Sequence, residues 1–212
     1  MKRFSFNTIQ DFDKHILASI PNYDILFNSI LCISKYFYDK NMTIYDIGCS
    51  TGKLLKSIKF DCKKVGIDNS RNLLPESKNG IEWICTDLND SFEFKNASII
   101  YSIFILQFLK KKSRYQLLTD IYNGLNPGGA LIIAEKTYSE FGQFQEIFTF
   151  SYYDYKRNSF TGTEILDKED SLREILKPNT SKENEELLMK VGFKKIERFF
   201  KYFNFEAFLC IK

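Results

Sequence analysis

The stretch I-Y-D-I-G-C-S-T-G, residues 44–52, decides the fold. Ile44, Tyr45 and Ile47 have the branched and aromatic character of a buried strand, Gly48 and Gly52 let the backbone turn tightly, and Lys53-Leu54-Leu55-Lys56 opens a helix. A strand that feeds a helix through a turn of small residues lets a ligand approach bare backbone at a helix N-terminus. Such a turn can also do no more than close a βα unit, so its neighbours must carry the reading.

On either side the hydrophobic pattern is regular. Phe12, Ile16, Leu17 and Ile20 recur at helical steps after the candidate caps Asn7 or Thr8 until Pro21 interrupts them, and Ile25, Leu26, Ile30, Ile33 and Phe37 do the same over 23–38. These predict N-terminal helices, within residues 1–40, that cover the sheet. Downstream, apolar strand candidates at 65–68, 81–86, 97–104 and 130–135 alternate with helix or turn sequence, the signature of a parallel sheet with crossover helices. Residues 113–125 predict an amphipathic helix with Tyr115, Leu118, Ile121, Tyr122 and Leu125 inward, stopped by Asn126-Pro127-Gly128-Gly129. A polar, aromatic-rich insertion begins at 137 and runs to 163, followed by helices near 170–176 and over 181–191. The closing strands, 194–203 and 205–211, are separated by so little sequence that they must form a hairpin. The expectation is one α/β domain over 1–212: a Rossmann-like, mostly parallel seven-stranded sheet with an antiparallel C-terminal hairpin strand and helices on both faces.

Composition excludes more than it suggests. Thirty basic against 27 acidic side chains leave a net charge of +3, which gives no reason to expect direct nucleic-acid binding. The basic run Lys110-Lys111-Lys112 reads as a solvated helix start. The five cysteines are scattered without a C-x-x-C pair, as in a reducing compartment, and with His15 as the only histidine no metal site is expected. The longest uncharged run, 96–109, is polar in places and shorter than the roughly 20 apolar residues of a membrane helix. A soluble, cytoplasmic protein is expected.

In an open parallel sheet, ligands bind beyond the carboxyl ends of the strands. Those ends carry Asp46 with the 48–52 turn, then Asp68, Asp87, Ser102 and Glu135. Asp68 follows the glycine turn at about the distance at which a carboxylate takes both ribose hydroxyls of a nucleoside; the weaker alternative is that it merely caps the next helix, as Asn69 and Ser70 also could. Asp87 and Leu88 suit an adenine amino group and ring. Asp46, charged among apolar strand residues, needs a turn amide or a ligand amine. The turn lacks the third glycine of a pyrophosphate-binding G-x-G-x-x-G. S-adenosylmethionine (SAM), which has no phosphate but carries an ammonium and a sulfonium, fits these acids better.

The chain resembles the class I SAM-dependent methyltransferases and, within them, the carboxy-S-adenosylmethionine (carboxy-SAM) synthases of the tRNA wobble-uridine pathway. The resemblance runs over residues 12–212 and rests on D-I-G-C-S-T-G, I-D-N-S, L-Q-F-L, R-x-x-L-L-x-x-I-Y-x-G-L-N-P-G-G-A-L and the ending F-N-F-E-A-F. It implies that Gly48 and Ser50 line the methionine end, that Asp68 binds ribose, that Asp87 and Leu88 hold adenine, and that Tyr23 approaches from the N-terminal helices. With Asp46, Cys49, Gly52, Asn69 and Ser102 these form the expected cofactor set, for SAM or carboxy-SAM. The family moves a carboxyl group from prephenate to the SAM methyl carbon and works as a homodimer.

The departures lie in the acceptor-side insertion, residues 137–180. A Lys-Arg pair whose arginine meets the added carboxylate reads Lys168-Glu169 here, a charge reversal that opposes carboxylate binding. Ser102 replaces an asparagine, and Tyr152-Tyr153-Asp154-Tyr155 departs from H-x-D-F-K. Lys156, Arg157 or Lys168 remain as substitute cations, and Glu135, Asp154 and His15 as candidate bases. The sequence favours methyl transfer to an oxygen or nitrogen of a small polar acceptor. Carboxy-SAM synthesis is the alternative, and a SAM-binding subunit without turnover the third reading.

Overall fold

The computed structural model describes residues 12–76 and 80–212; the candidate caps Asn7 and Thr8 lie outside them. Two helices, α1 (Phe12–Ser19) and α2 (Tyr23–Ser34), precede the sheet. Then come β1 (Thr43–Ile47), α3 (Lys53–Ser57), β2 (Lys63–Asp68), β3 (Ile81–Cys85), β4 (Ala97–Ile103) and α4 (Lys111–Gly124). The second half holds β5 (Leu125–Lys136), α5 (Gly142–Lys156), α6 (Gly162–Leu172), α7 (Ser181–Val191), β6 (Lys195–Tyr202) and β7 (Phe205–Ile211).

The strands form one seven-stranded sheet in the order β3-β2-β1-β4-β5-β7-β6. β1 to β5 pair in parallel, while β7 runs antiparallel to both β5 and β6. This is the expected Rossmann-like architecture, and strand order reverses between β1 and β4. Successive side chains of a strand point to opposite faces. Accordingly Ile100, Leu131 and Ile133 pack with Leu118 and Ile121 of α4 and Leu188 of α7. Ile99, Tyr101, Ile132 and Ala134 pack with Leu26 and Ile30 of α2 on the other side. Burial on both faces explains why these strands read as continuous apolar runs.

The helices differ in places from the sequence expectation. On α4, Leu118 and Ile121 are buried and Tyr122 packs against the same core, as expected, while Leu117 and Arg114 are buried in addition and Tyr115 is exposed under the Lys190 ammonium. The insertion contains a full helix, α5, which buries only Tyr152 and Lys156 and exposes Phe144, Ile147 and Phe150. The aromatic residues Phe141, Phe144, Phe148, Tyr152 and Tyr155 recur at helical spacing, but Phe141 and Phe144 are exposed, so only part of the stripe faces inward. The next helix, α6, begins well before 170: Thr161 caps it, and Glu164 closes a capping box by accepting from the Thr161 N–H. No single helix among the described residues is long and apolar enough to cross a membrane.

Candidate functional site

The carboxyl ends of β1, β2, β4 and β5 open on a cavity of about 430 Å³, a volume that suits a small molecule. The 48–52 turn forms its floor. The Gly48 and Cys49 N–H groups both donate to the Ile67 carbonyl, at 2.7 and 3.0 Å, which pins the turn to β2. Asp68 holds the next step, accepting from the Ser50 N–H at 2.9 Å and from the Ser70 N–H at 2.8 Å. Gly48 has φ +68°, and a Cβ there would lie 1.8 Å from the Ile105 side chain, so only glycine fits.

Asp46 is the conspicuous group at this end. It is buried, lines the cavity and its carboxylate has no hydrogen-bond partner among the described residues; the turn amides of Gly48, Cys49 and Ser50 are committed to Ile67 and Asp68. Burial first, and then the Asp68 charge, push its carboxyl well above the usual carboxylate range. The buried Ser50 hydroxyl likewise lacks a partner. Tyr23, Asn69, Asp87 and Leu88 line the same space, and Asp87 accepts from the Asn89 backbone and side-chain N–H groups, both at 2.9 Å. Unpartnered buried acceptors beside a ring of carboxylates suit a ligand with an amine and hydroxyls, and the residues present fit SAM.

Two expected cofactor residues are placed elsewhere. Gly52 caps α3 at φ +72° and leaves room for Trp83, whose ring a Cβ would meet at 2.2 Å. Ser102 is fully buried within β4, opposite Ile47 and Ile133, and does not reach the cavity. Ile103, Phe104 and Ile105, beyond it, line the wall.

The far end of the cavity is basic. Lys136 ends β5, Lys156 ends α5, and Lys168 with Glu169 comes from α6. The Lys136 and Lys156 ammoniums lie 3.9 and 3.7 Å from the same oxygen, Glu169 Oε1. Both also sit against the Tyr152 ring, 5.0 and 5.1 Å from its centroid. Burial lowers the pKa of all three lysines, and burial plus the nearby Lys156 charge bring Lys168 down to about 8. His15 lines the cavity with its Nε2 3.2 Å from the Ser19 hydroxyl. Burial, Lys168 and Lys156 lower its pKa and keep the imidazole neutral.

The remaining candidates lie outside. Glu135 is buried under the cavity wall, where Oε1 accepts from the N–H groups of Ile105 and Leu106 and Oε2 from that of Gln107. It straps the 105–107 turn, and burial raises its pKa to about 7 against those donors. Asp154 and Arg157 pair with each other at 2.6 Å on the solvent face of α5. Lys136 was missed by the sequence reading, which stopped the strand at Glu135. Its position at a carboxyl strand end was the available signal.

A helix forms the roof. Asp13 of α1 accepts from the Thr51 hydroxyl at 3.2 Å, and the Tyr152 and Tyr155 hydroxyls donate to the Ser19 and Leu17 carbonyls at 2.8 and 3.1 Å. Thus α1 touches both the cofactor turn and α5.

Residues 44–129 match the family model described as a methyltransferase domain. Among solved structures, a SAM-dependent methyltransferase from Archaeoglobus fulgidus has a TM-score of 0.67 at 12% identity, covering 95% of this chain and 99% of that one. Human N-acetylserotonin methyltransferase in complex with SAM has a TM-score of 0.58 at 18% identity, covering 90% of this chain and 52% of the other. These likenesses establish the fold. The carboxy-S-adenosyl-L-methionine synthase of Shewanella halifaxensis is 34% identical over 95% of this chain and 88% of its own. That of Staphylococcus epidermidis is 38% identical over 98% of this chain and 95% of its own. With this similarity along its whole length, the chain is a SAM-dependent transferase and belongs to the carboxy-S-adenosyl-L-methionine synthase family.

Proposed function

We propose that this protein makes carboxy-SAM, the carboxyl group of prephenate, the donor that the family resemblance implies, replacing one hydrogen of the SAM methyl group: the donor's C–CO2 bond breaks, the methyl proton leaves with the donor's hydroxide as water, the remaining donor departs as phenylpyruvate, and the sulfonium stays intact. The observation that carries this reading is the cluster of Lys136, Lys156 and Lys168 at the end of the cavity opposite the acids. Judged from sequence, the Glu169 charge reversal weighed toward methyl transfer. Lys136 and Lys156, from two further elements, stand beside the Lys168 that matches the family pair, so that positive charge at this end outweighs Glu169, and this shifts the balance to carboxyl transfer.

In this reading Asp68 would hold the ribose, Asp87 and Leu88 the adenine, and Asp46, Gly48 and Ser50 the methionine end beside Tyr23. SAM supplies the methyl carbon and the positive sulfur that activates it. Lys136 and Lys156 hold and orient carboxylates of the donor through charge-assisted bonds, and Phe104, Tyr152 and Phe205 shield the space between the two ends from water. The product would feed tRNA wobble-uridine modification in the cytoplasm. A homodimer belongs to the same proposal, and light scattering on the purified protein tests it.

The deciding experiment incubates the protein with SAM and prephenate and weighs the nucleoside product by mass spectrometry. A species heavier than SAM by one CO2 is expected. Methyl transfer to a small polar acceptor is the second reading, favoured by the presence of the Glu169 carboxylate at the cavity wall. Acceptor-dependent S-adenosylhomocysteine with no carboxylated product would establish it instead.

A further inference from the structure

Glu169 stands where a carboxylate-binding cavity should exclude carboxylates, and the geometry around it is unusual for a structural ion pair. Both lysines address one oxygen, Oε1, at 3.9 and 3.7 Å, the loose end of ion-pair distances. The cations are the dry members: the Lys156 side chain is 4% exposed and that of Lys136 16%, against 27% for Glu169. A buried ammonium is costly without an anion close by, and here two buried ammoniums share one distant carboxylate while Lys168 lines the same wall. The other carboxylates of the cavity, Asp13, Asp46, Asp68 and Asp87, lie at the cofactor end. Of the three members of this ion-pair cluster, Lys136, Lys156 and Glu169, the anion has the most access to solvent.

We infer that Glu169 is a resident stand-in for substrate: its carboxylate rests on Lys136 and Lys156 while the basic end is empty of ligand, and a carboxylate of an incoming dicarboxylate displaces it and takes over both ammoniums. The inference rests on the carboxyl-donor reading of this end of the cavity but makes a separate claim, about which group holds the lysines before substrate does. It also accounts for a glutamate in an anion site. Tethered carboxylates compete as if present at roughly millimolar concentration, enough to keep the buried lysines paired yet weak enough to yield to a ligand with two carboxylates.

The test is calorimetric titration of malonate, a plain dicarboxylate, and of prephenate into the full chain loaded with S-adenosylhomocysteine, comparing wild type with Glu169→Ala at constant ionic strength. Removal of the stand-in should tighten both ligands about tenfold. Acetate, added in place of chloride, should then fill the vacated position in Glu169→Ala and return malonate affinity toward the wild-type value in a competitive manner, while changing wild type much less. Asp170→Asn, which removes an exposed negative charge from the same helix without uncovering the lysines, separates displacement from a simple gain in positive charge: it should change malonate affinity no more than about twofold. Unchanged or weakened binding in Glu169→Ala overturns the inference, as does tightening that acetate leaves intact. A thermal melt and the S-adenosylhomocysteine affinity confirm that the variant is folded. Because malonate binding does not depend on turnover, the displacement can hold even where prephenate gives no carboxy-SAM, and carboxy-SAM can form even where Glu169 proves not to be displaced.

Discussion

At one end of the cavity, Asp46 lies near the end of β1, Asp68 ends β2 and Asp87 follows β3; Asp68 is held by the N–H groups of Ser70, two residues on, and of Ser50 in the neighbouring turn, and Asp87 by Asn89, also two residues on. At the other end, Lys136, Lys156 and Lys168 come from β5, α5 and α6 and meet only because those elements pack together. The first end is local structure, and the second is tertiary structure. The acidic end is therefore a general device for a nucleoside, whereas the reaction depends on the basic end, which can change residue by residue without disturbing the sheet.

The sharpest way to separate the ends is to remove a cation from one and read both. Lys136→Met keeps most of the side-chain volume and abolishes the charge. It should lower kcat/KM for prephenate on the order of a hundredfold, as expected for a buried partner of a carboxylate. SAM affinity by calorimetry should stay within a few-fold. Equal losses in both would mean that the two ends are one site, and the comparison would fail.

The reverse experiment is Asp68→Ala. It removes the ribose-binding carboxylate and a support of the turn, and should weaken SAM binding by about 1–3 kcal/mol. Malonate binding at the basic end should not follow. Unchanged SAM affinity would remove Asp68 from the cofactor site.

This division also marks what could be read from the chain. The strand-turn-helix at 44–52, the acids at the strand ends and the hairpin are encoded within short windows, where hydrophobic period and turn residues suffice. The basic end is not. Lys136 looks like the polar residue that ends a strand, Lys156 sits beside an aromatic stripe that reads as core, and Lys168-Glu169 could only be compared with a family pattern. Glu135 shows the same limit from the other side: a carboxylate at a strand end resembles a catalytic base, and only the fold reveals three N–H groups directed at it. Glu135→Gln leaves one of these donors facing an amide N–H. It should cost about 1–3 kcal/mol of stability in a denaturant melt. Full stability in that variant would return Glu135 to the list of candidate bases.

The smallest effect is the pH dependence of the basic end. Burial and the Lys156 charge bring the Lys168 pKa down to about 8, and Glu169 opposes the shift. The protonated lysine attracts a carboxylate and the neutral one does not, so prephenate binding should be level below pH 8 and weaken as pH rises through it. The loss is at most about tenfold per pH unit, the limit for one proton. The kcat/KM profile reports the free enzyme and should break near 8. The kcat profile should break higher, because bound carboxylate stabilises the ammonium. His15 leaves this window untouched, since its pKa is lowered from an ordinary value already below 7. SAM binding does not involve Lys168 and should show no break that Lys168→Met removes. Lys168→Met should remove the break; a break that survives in this variant would assign it to another group and leave Lys168 as a wall residue.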